Sequence, residues 1–173
     1  MLISLLAMSG YADRQYHTTN ITGGVALAPD SRPGVHFSIE PSMLIHTNAG
    51  LGLHADYSWI SPTKKIYEED AGIHFFGIAP VLKGYYEIDS QKRIIGEFDP
   101  GLVLAILYTE VEGETDIDYA TRFGLTYGLG FNFHRFLLGF RVKSIFLDVL
   151  KKNVVDYGNT ANWFCFYIGY AGS

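Results

Sequence analysis

Cysteine, charge and long apolar runs are all scarce in this sequence, and each scarcity removes a class of protein. One cysteine, Cys165, among 173 residues excludes an intramolecular disulfide framework and any CxxC metal site, and its thiol reads as a small apolar filler. Charged residues make up 18%, below the roughly 25% of a soluble domain. The net charge of −5 and the lack of a long basic run argue against a nucleic-acid partner. No apolar run approaches the ~18 residues of a spanning helix. Two short stretches, Glu68–Asp70 and Val149–Asn153, could start a helix, but neither is long enough to be stable alone. The longest early apolar run, Leu2 to Met8, is followed by small residues up to Ala12. It resembles the core of an export leader without a basic start, so residues 1–12 are expected to be a leader segment and 13–173 one domain.

What the chain has in quantity is aromatic residues and glycine: 12 Tyr, 12 Phe and 19 Gly. Tyr and Phe favour pleated sheet, and glycine serves tight turns and close strand packing. The clearest segment is Tyr119 to His134. One register reads Tyr119, Thr121, Phe123, Leu125, Tyr127, Leu129, Phe131 and Phe133, and the other is small or polar, from Ala120 and Arg122 to Asn132 and His134. A helix cannot satisfy that period of two. Bulky apolar residues on one face and small polar ones on the other predict a strand with lipid outside and a narrow polar lumen inside.

Comparable alternation marks 35–46, 51–59, 97–108, 136–143 and 163–170. Residues 20–28 are a shorter first strand. Ile73 to Ile88 requires a change of phase near Gly77 if Lys83 and Glu87 are to face inward. Pro41, Pro80 and Pro100 each remove a ladder hydrogen bond, so bulges are expected beside them. The links are 29–34, 47–50, 61–72, 89–93, 110–118, 134–135 and 148–162, in which long and short connections alternate. That predicts an all-β fold, a closed eight-stranded antiparallel up-and-down (meander) transmembrane barrel, with both termini on the periplasmic side. Tyr57, Trp59, Tyr108, Tyr119, Trp163 and Tyr170 lie near strand ends, where interfacial aromatic girdles are expected.

From about residue 16 to 170, this strand spacing resembles the small eight-stranded OmpA-type and opacity-type outer-membrane barrels. The ending Trp163–Tyr170, WFCFYIGY, resembles their aromatic-rich terminal strand, although Ala171-Gly172-Ser173 follow it. The resemblance implies an outer-membrane location and carries no catalytic residues.

On the inward register lie Glu40, Asp56, Glu97 and Asp99, answered by Arg122, Arg141 and Lys143; Lys83 and Glu87 are less securely placed. His36, His46, His54, His74 and His134 fall on the same face. An eight-stranded barrel has room only for its own side chains. Its inward charges must therefore pair, as a network that plugs the lumen. His36, Ser38 and Glu40 share one strand face, and outer-membrane lipid A deacylases look similar in using a His-x-Ser pair with a carboxylate. A serine nucleophile needs a base within hydrogen-bond reach, and same-face neighbours lie about 6.6 Å apart at the backbone. The five acids between Glu110 and Asp118 read as a solvated loop rather than a cation site.

The function expected is that of a monomeric, non-enzymatic outer-membrane barrel. It would support membrane integrity, adhesion or contact through surface loops 61–72, 110–118 and 148–162. Its partners would be outer-membrane lipid and an extracellular ligand, with no cofactor, metal or nucleic acid. Two alternatives remain open. One is a lipid A acyl hydrolase using His36, Ser38 and Glu40. The other is a soluble lipocalin-like barrel with an apolar, ligand-binding interior.

Overall fold

Strict alternation over most of the chain produces eight strands: β1 (His17–Leu27), β2 (Ser31–His46), β3 (Ala49–Pro62), β4 (Ala71–Asp89), β5 (Lys92–Val111), β6 (Glu114–Phe133), β7 (Phe136–Phe146) and β8 (Thr160–Gly172). They are seen in a computed structural model that describes residues 17–29, 31–62, 71–89, 91–111, 114–146 and 160–172. Each strand pairs antiparallel with the next, and β8 closes on β1. Closure leaves no edge, which hydrocarbon demands because it cannot hydrogen-bond an unpaired backbone. The expected leader, 1–12, lies outside the described residues.

One row of paired residues runs His17, Met43, Leu51, Leu82, Phe98, Tyr127, Val142, Phe164 and back to β1 at Leu27. It returns ten residues beyond its start, and a stagger of that kind tilts the strands by roughly 35–45°. Past His17 the row is apolar throughout, and it faces outward. Phe37, Phe123, Leu129, Phe166 and Ile168 extend it into a belt of exposed apolar side chains, far larger than a soluble monomer tolerates. The interior carries His36, Glu40, Glu97, Asp99, Arg141 and Lys143 instead. This is the reverse of a lipocalin-like barrel. No described helix is long and apolar enough to cross a membrane; the strands cross it.

Strand β4 corrects the expected phase change. It pairs with β3 from Ala49↔Gly84 to Ile60↔Ile73 without a shift, and Ile73, Phe75, Val81 and Lys83 are all buried inside. The expectation assumed a lumen polar along its whole length. At the end carrying the long links, Ile60, Ile73, Phe75, Ile145, Trp163 and Cys165 form an apolar inner cluster instead. Trp163 therefore leaves the proposed girdle: it stacks on Phe75 inside the barrel, with ring centroids 4.5 Å apart.

The bulges expected at the prolines do not form either. Ile78↔Leu102 and Leu82↔Phe98 flank an interruption in which the register is unchanged, setting Pro80 opposite Pro100. The β2–β3 register is likewise the same on both sides of Pro41. A proline deletes a donor without adding a residue, so pairing lapses locally and does not slip. The register shifts that do occur lie near strand ends, at Arg32/Val35, Leu44/His46 and Glu87/Asp89.

Two links also differ from expectation. Strand β2 begins at Ser31, so the 29–34 connection is much shorter. The acidic 110–118 segment is hairpin and not loop: β5 reaches Val111 and β6 starts at Glu114, paired with each other. The other two expected loops shrink to 63–70 and 147–159, which lie outside the described residues. Crossing a bilayer takes about 9–11 tilted residues. Strands β1 and β7, with 11 residues each, meet that length, whereas β5 and β6, with 20 each, run well past it. The short turns hold the opposite end level, so the surplus of the β5–β6 hairpin stands above the membrane on the long-link side.

Candidate functional site

The interior is organised around one guanidinium. Arg141 lies on the inward register of β7, between Gly128 of β6 and Cys165 of β8, and is fully buried. Its Nε donates to Glu97 Oε2 at 2.7 Å, one terminal nitrogen to Glu40 Oε2 at 3.1 Å and the other to Ser38 Oγ at 2.8 Å. The same group lies 4.4 Å above the Tyr167 ring, a cation–π contact. Room for these large side chains comes from the glycines facing inward on β6 and β7. A Cβ added at Gly139 would lie 2.5 Å from the Tyr167 hydroxyl, and one at Gly128 would lie 2.9 Å from Arg141 Cγ.

Glu40 is shared. Its Oε1 accepts from Asn20 Nδ2 at 3.0 Å and forms an ion pair with Lys83. Lys83 also donates to Ser42 Oγ at 3.2 Å, and Ser38 hydrogen-bonds Thr22 at 2.6 Å. Nearer the long-link end, Lys143 pairs with Asp56 and lies 5.6 Å from the Trp163 ring. His54 Nδ1 and Asp99 Oδ2 are 2.5 Å apart. Buried charges that are paired and hydrogen-bonded in this way are tolerated, whereas removing one partner typically costs 3–5 kcal/mol. Chemically, the arrangement commits these buried side chains to one another.

Solved structures place this architecture. The chain is similar to Neisserial surface protein A, at 14% identity over 90% of this chain and 94% of that one, with a TM-score of 0.56. It is also similar to Ail, the attachment invasion locus protein of Yersinia pestis, in complex with the heparin analogue sucrose octasulfate: 13% identity, 91% and 100% coverage, TM-score 0.56. The N-terminal β-barrel domain of Pseudomonas aeruginosa OprF matches at 8% identity, 90% and 97% coverage, and a TM-score of 0.52. The chain has the fold of the small outer-membrane barrels. Neither a known protein family nor a curated protein matches the sequence, and identities this low carry the fold alone.

Within that fold, the lumen network joins most of the expected residues but not all. Glu40, Glu97 and Arg141 meet directly, as do Asp56 and Lys143, and Lys83 belongs with them. Asp99 takes His54 as its partner and not a cation. Arg122 stands apart: its guanidinium donates to the Thr121 carbonyl at 2.7 Å and meets no carboxylate among the described residues. Glu87 is exposed near the β4–β5 turn and pairs with Arg93 at 3.3 Å. Sequence reasoning missed Asn20, Thr22, Ser42 and Tyr167. All four lie on inward registers that could have been followed along β1, β2 and β8.

Only two of the five histidines assigned to the lumen lie in it, His36 and His54. His74 points outward, where Tyr57 Oη lies 2.8 Å from its Nδ1; it was assigned inward through the mistaken phase of β4. His46 and His134 are exposed at turns, and His134 takes the left-handed conformation, with φ of 57°, that non-glycine residues seldom adopt. The pattern continues to a strand's last residue, but the inward direction ends where the turn begins.

Among the described residues, the groups that could serve a metal centre or a hydrolytic site are already engaged with other partners. Ligand atoms of Glu40, His54 and Asp99 lie within 4.8 Å of one another, yet both Glu40 oxygens are engaged, so an ion would have to displace Lys83 and Arg141. His36 Nδ1 hydrogen-bonds Ser58 at 2.9 Å, not Ser38, and Ser38 accepts from Arg141. A nucleophilic serine needs a base within reach, and the described contacts give Ser38 none. Ser38→Ala is expected to destabilise the barrel by about 1–3 kcal/mol, the worth of a hydrogen bond to a buried charged donor. A urea titration of the folded fraction would measure it.

Proposed function

We propose that this chain is a non-enzymatic integral outer-membrane barrel, closed to transport, which presents its long-link end at the cell surface for adhesion or comparable contact. The observation that carries this reading is the Arg141 network, which fills the lumen with side chains already committed to one another. The tall β5–β6 hairpin supplies the contact surface, with Glu110, Glu114, Asp116 and Asp118 in its paired strands near the tip. An acidic ribbon of this kind suits a cationic partner. In this reading His17 and Gly172, at the short-turn end, face the periplasm, and lipid surrounds the apolar belt of a monomer.

Orientation is testable with single cysteines, because the native Cys165 is fully buried. Cysteine at Arg32, exposed at the long-link end, should react with an impermeant thiol reagent on intact cells. One at Gln91, in the β4–β5 turn, should react only after lysis. The opposite pattern would invert the barrel. Activity is tested by the lipid A profile of cells expressing the chain, which should be the same with Ser38→Ala as without it. A deacylated species that depends on Ser38 would establish the hydrolase instead.

A further inference from the structure

Among the glycines of the described strands, Gly84 and Gly96 stand alone in that an added Cβ would meet nothing within 4 Å. They pair with each other across β4 and β5, on registers facing the membrane. Around them Leu82, Phe98, Tyr127, Leu129 and Phe140 edge a shallow, open depression in the outer wall. The outward Gly23, by contrast, is covered by the Phe37 ring, which an added Cβ would meet at 3.4 Å, so the Gly84–Gly96 pair is an uncovered notch in the hydrocarbon-facing wall.

Along the same outward face of β5 the order is Lys92, Ile94, Gly96, Phe98. The Lys92 Cα therefore lies about 13 Å from that of Gly96, towards the short-turn end. Lys92 Nζ rests 5.9 Å from the Phe133 ring and 3.0 Å from Asp89 Oδ2, with both charged side chains more than two-fifths exposed. A headgroup bearing both phosphate and ammonium complements this pair, since its phosphate can face Lys92 and its amine Asp89. A headgroup with phosphate alone would set its charge against Asp89 unrelieved.

We propose that the Gly84–Gly96 notch with Lys92 and Asp89 is a binding site for one phosphatidylethanolamine of the leaflet at the short-turn side, its acyl chain in the notch and its headgroup on the ion pair. The site rests on the membrane-embedded reading of the barrel. It adds a specific lipid to a belt that would otherwise hold lipid indifferently.

The test uses the full chain in bilayers of phosphatidylethanolamine and phosphatidylglycerol, with one or the other carrying a mid-chain diazirine. After photolysis, adducts are mapped by peptide mass spectrometry. With the ethanolamine probe, adducts should concentrate on the strands around Leu82, Phe98 and Leu129 relative to Phe37 and Phe166 on β2 and β8. Lys92→Gln should lower that yield about fivefold, the worth of one lysine near a lipid phosphate. Gly84→Leu with Gly96→Leu fills open space on the outer face, should fold normally, and should reduce labelling there to the level of the rest of the belt. Even labelling around the barrel, concentration that survives the filled notch, or equal concentration with the glycerol probe would overturn the site. Barrel-to-barrel cross-links in its place would assign the notch to a second copy and overturn it too. An absence of adducts anywhere would sink the membrane-embedded reading itself, a result distinguishable from all of these.

Discussion

Arg141→Met should destabilise the folded barrel by about 3–5 kcal/mol, the penalty for leaving a buried charge without its partner. Methionine matches much of the arginine's length and apolar stem, so the loss is electrostatic more than steric. Glu40 would keep Lys83 and Asn20, but Glu97 would lose its only ion-pair partner among the described residues, and the ring of Tyr167 would lose its cation. Pairing the change with Glu97→Gln should therefore recover a large part of the stability. Arg122→Ala should cost far less, because Arg122 makes its described hydrogen bond to the adjacent Thr121 carbonyl. Urea titration of the heat-modifiable folded band would rank the variants. Equal costs for the two arginines would refute the network drawn around Arg141.

That contrast also marks how far the sequence could be read. The strands and the outward register of Phe123 to Phe133 follow from a period of two, which is a local property of the chain, and their antiparallel order follows from the short links between them. The inward placement of Glu40, Asp56, Glu97, Asp99, Arg141 and Lys143 follows from the same period. Which carboxylate meets which cation does not, because that depends on the stagger that closes the barrel. Arg141 reaches Ser38 across 103 positions of sequence and Glu40 across 101, so its height relative to β2 is fixed only by closure. Arg122 and Arg141 look alike as inward arginines; the turn of a tilted row puts one into the acidic layer and leaves the other with a backbone carbonyl.

The errors share a physical cause. The reading of β4 demanded a polar face throughout, but the lumen changes character along its axis, from the charged middle to the apolar cluster of Ile73, Phe75 and Trp163. A strand of 19 residues passes through both zones with no change of phase. Likewise, the acids of 110–118 suggested a solvated loop, but charge says only that a segment meets water. A hairpin rising beyond the bilayer meets water too, and its ladder continues to the tip.

Leu125→Arg should destabilise the barrel in bilayers by up to about 2 kcal/mol, since a basic residue on the lipid face costs about 2–4 kcal/mol at the midplane and less towards an interface. Leu125 stands on the outward register of β6, eight residues above Phe133 and so nearer the long-link interface than the midplane. On its row it lies beside Pro100 and Ser144, neither of which offers a countercharge. A guanidinium placed there reaches water only by snorkelling towards the long-link side with local thinning of the bilayer, which costs free energy. Thr126→Arg is the control. Thr126 faces inward, paired with Asp99 on one side and Lys143 on the other, so the new side chain would be crowded by a filled lumen and opposed by Lys143. The two variants should then respond differently to the surroundings. In short-chain detergent, where the belt is thin and adaptable, Leu125→Arg should regain most of its lost stability. Thr126→Arg should stay impaired in detergent and bilayer alike, since its clash lies inside the protein. Folded fractions against urea in bilayers of two thicknesses and in detergent would separate these causes. A Leu125→Arg barrel as stable as the parent in the thicker bilayer would reverse the assignment of inside and outside on which the membrane-spanning barrel depends.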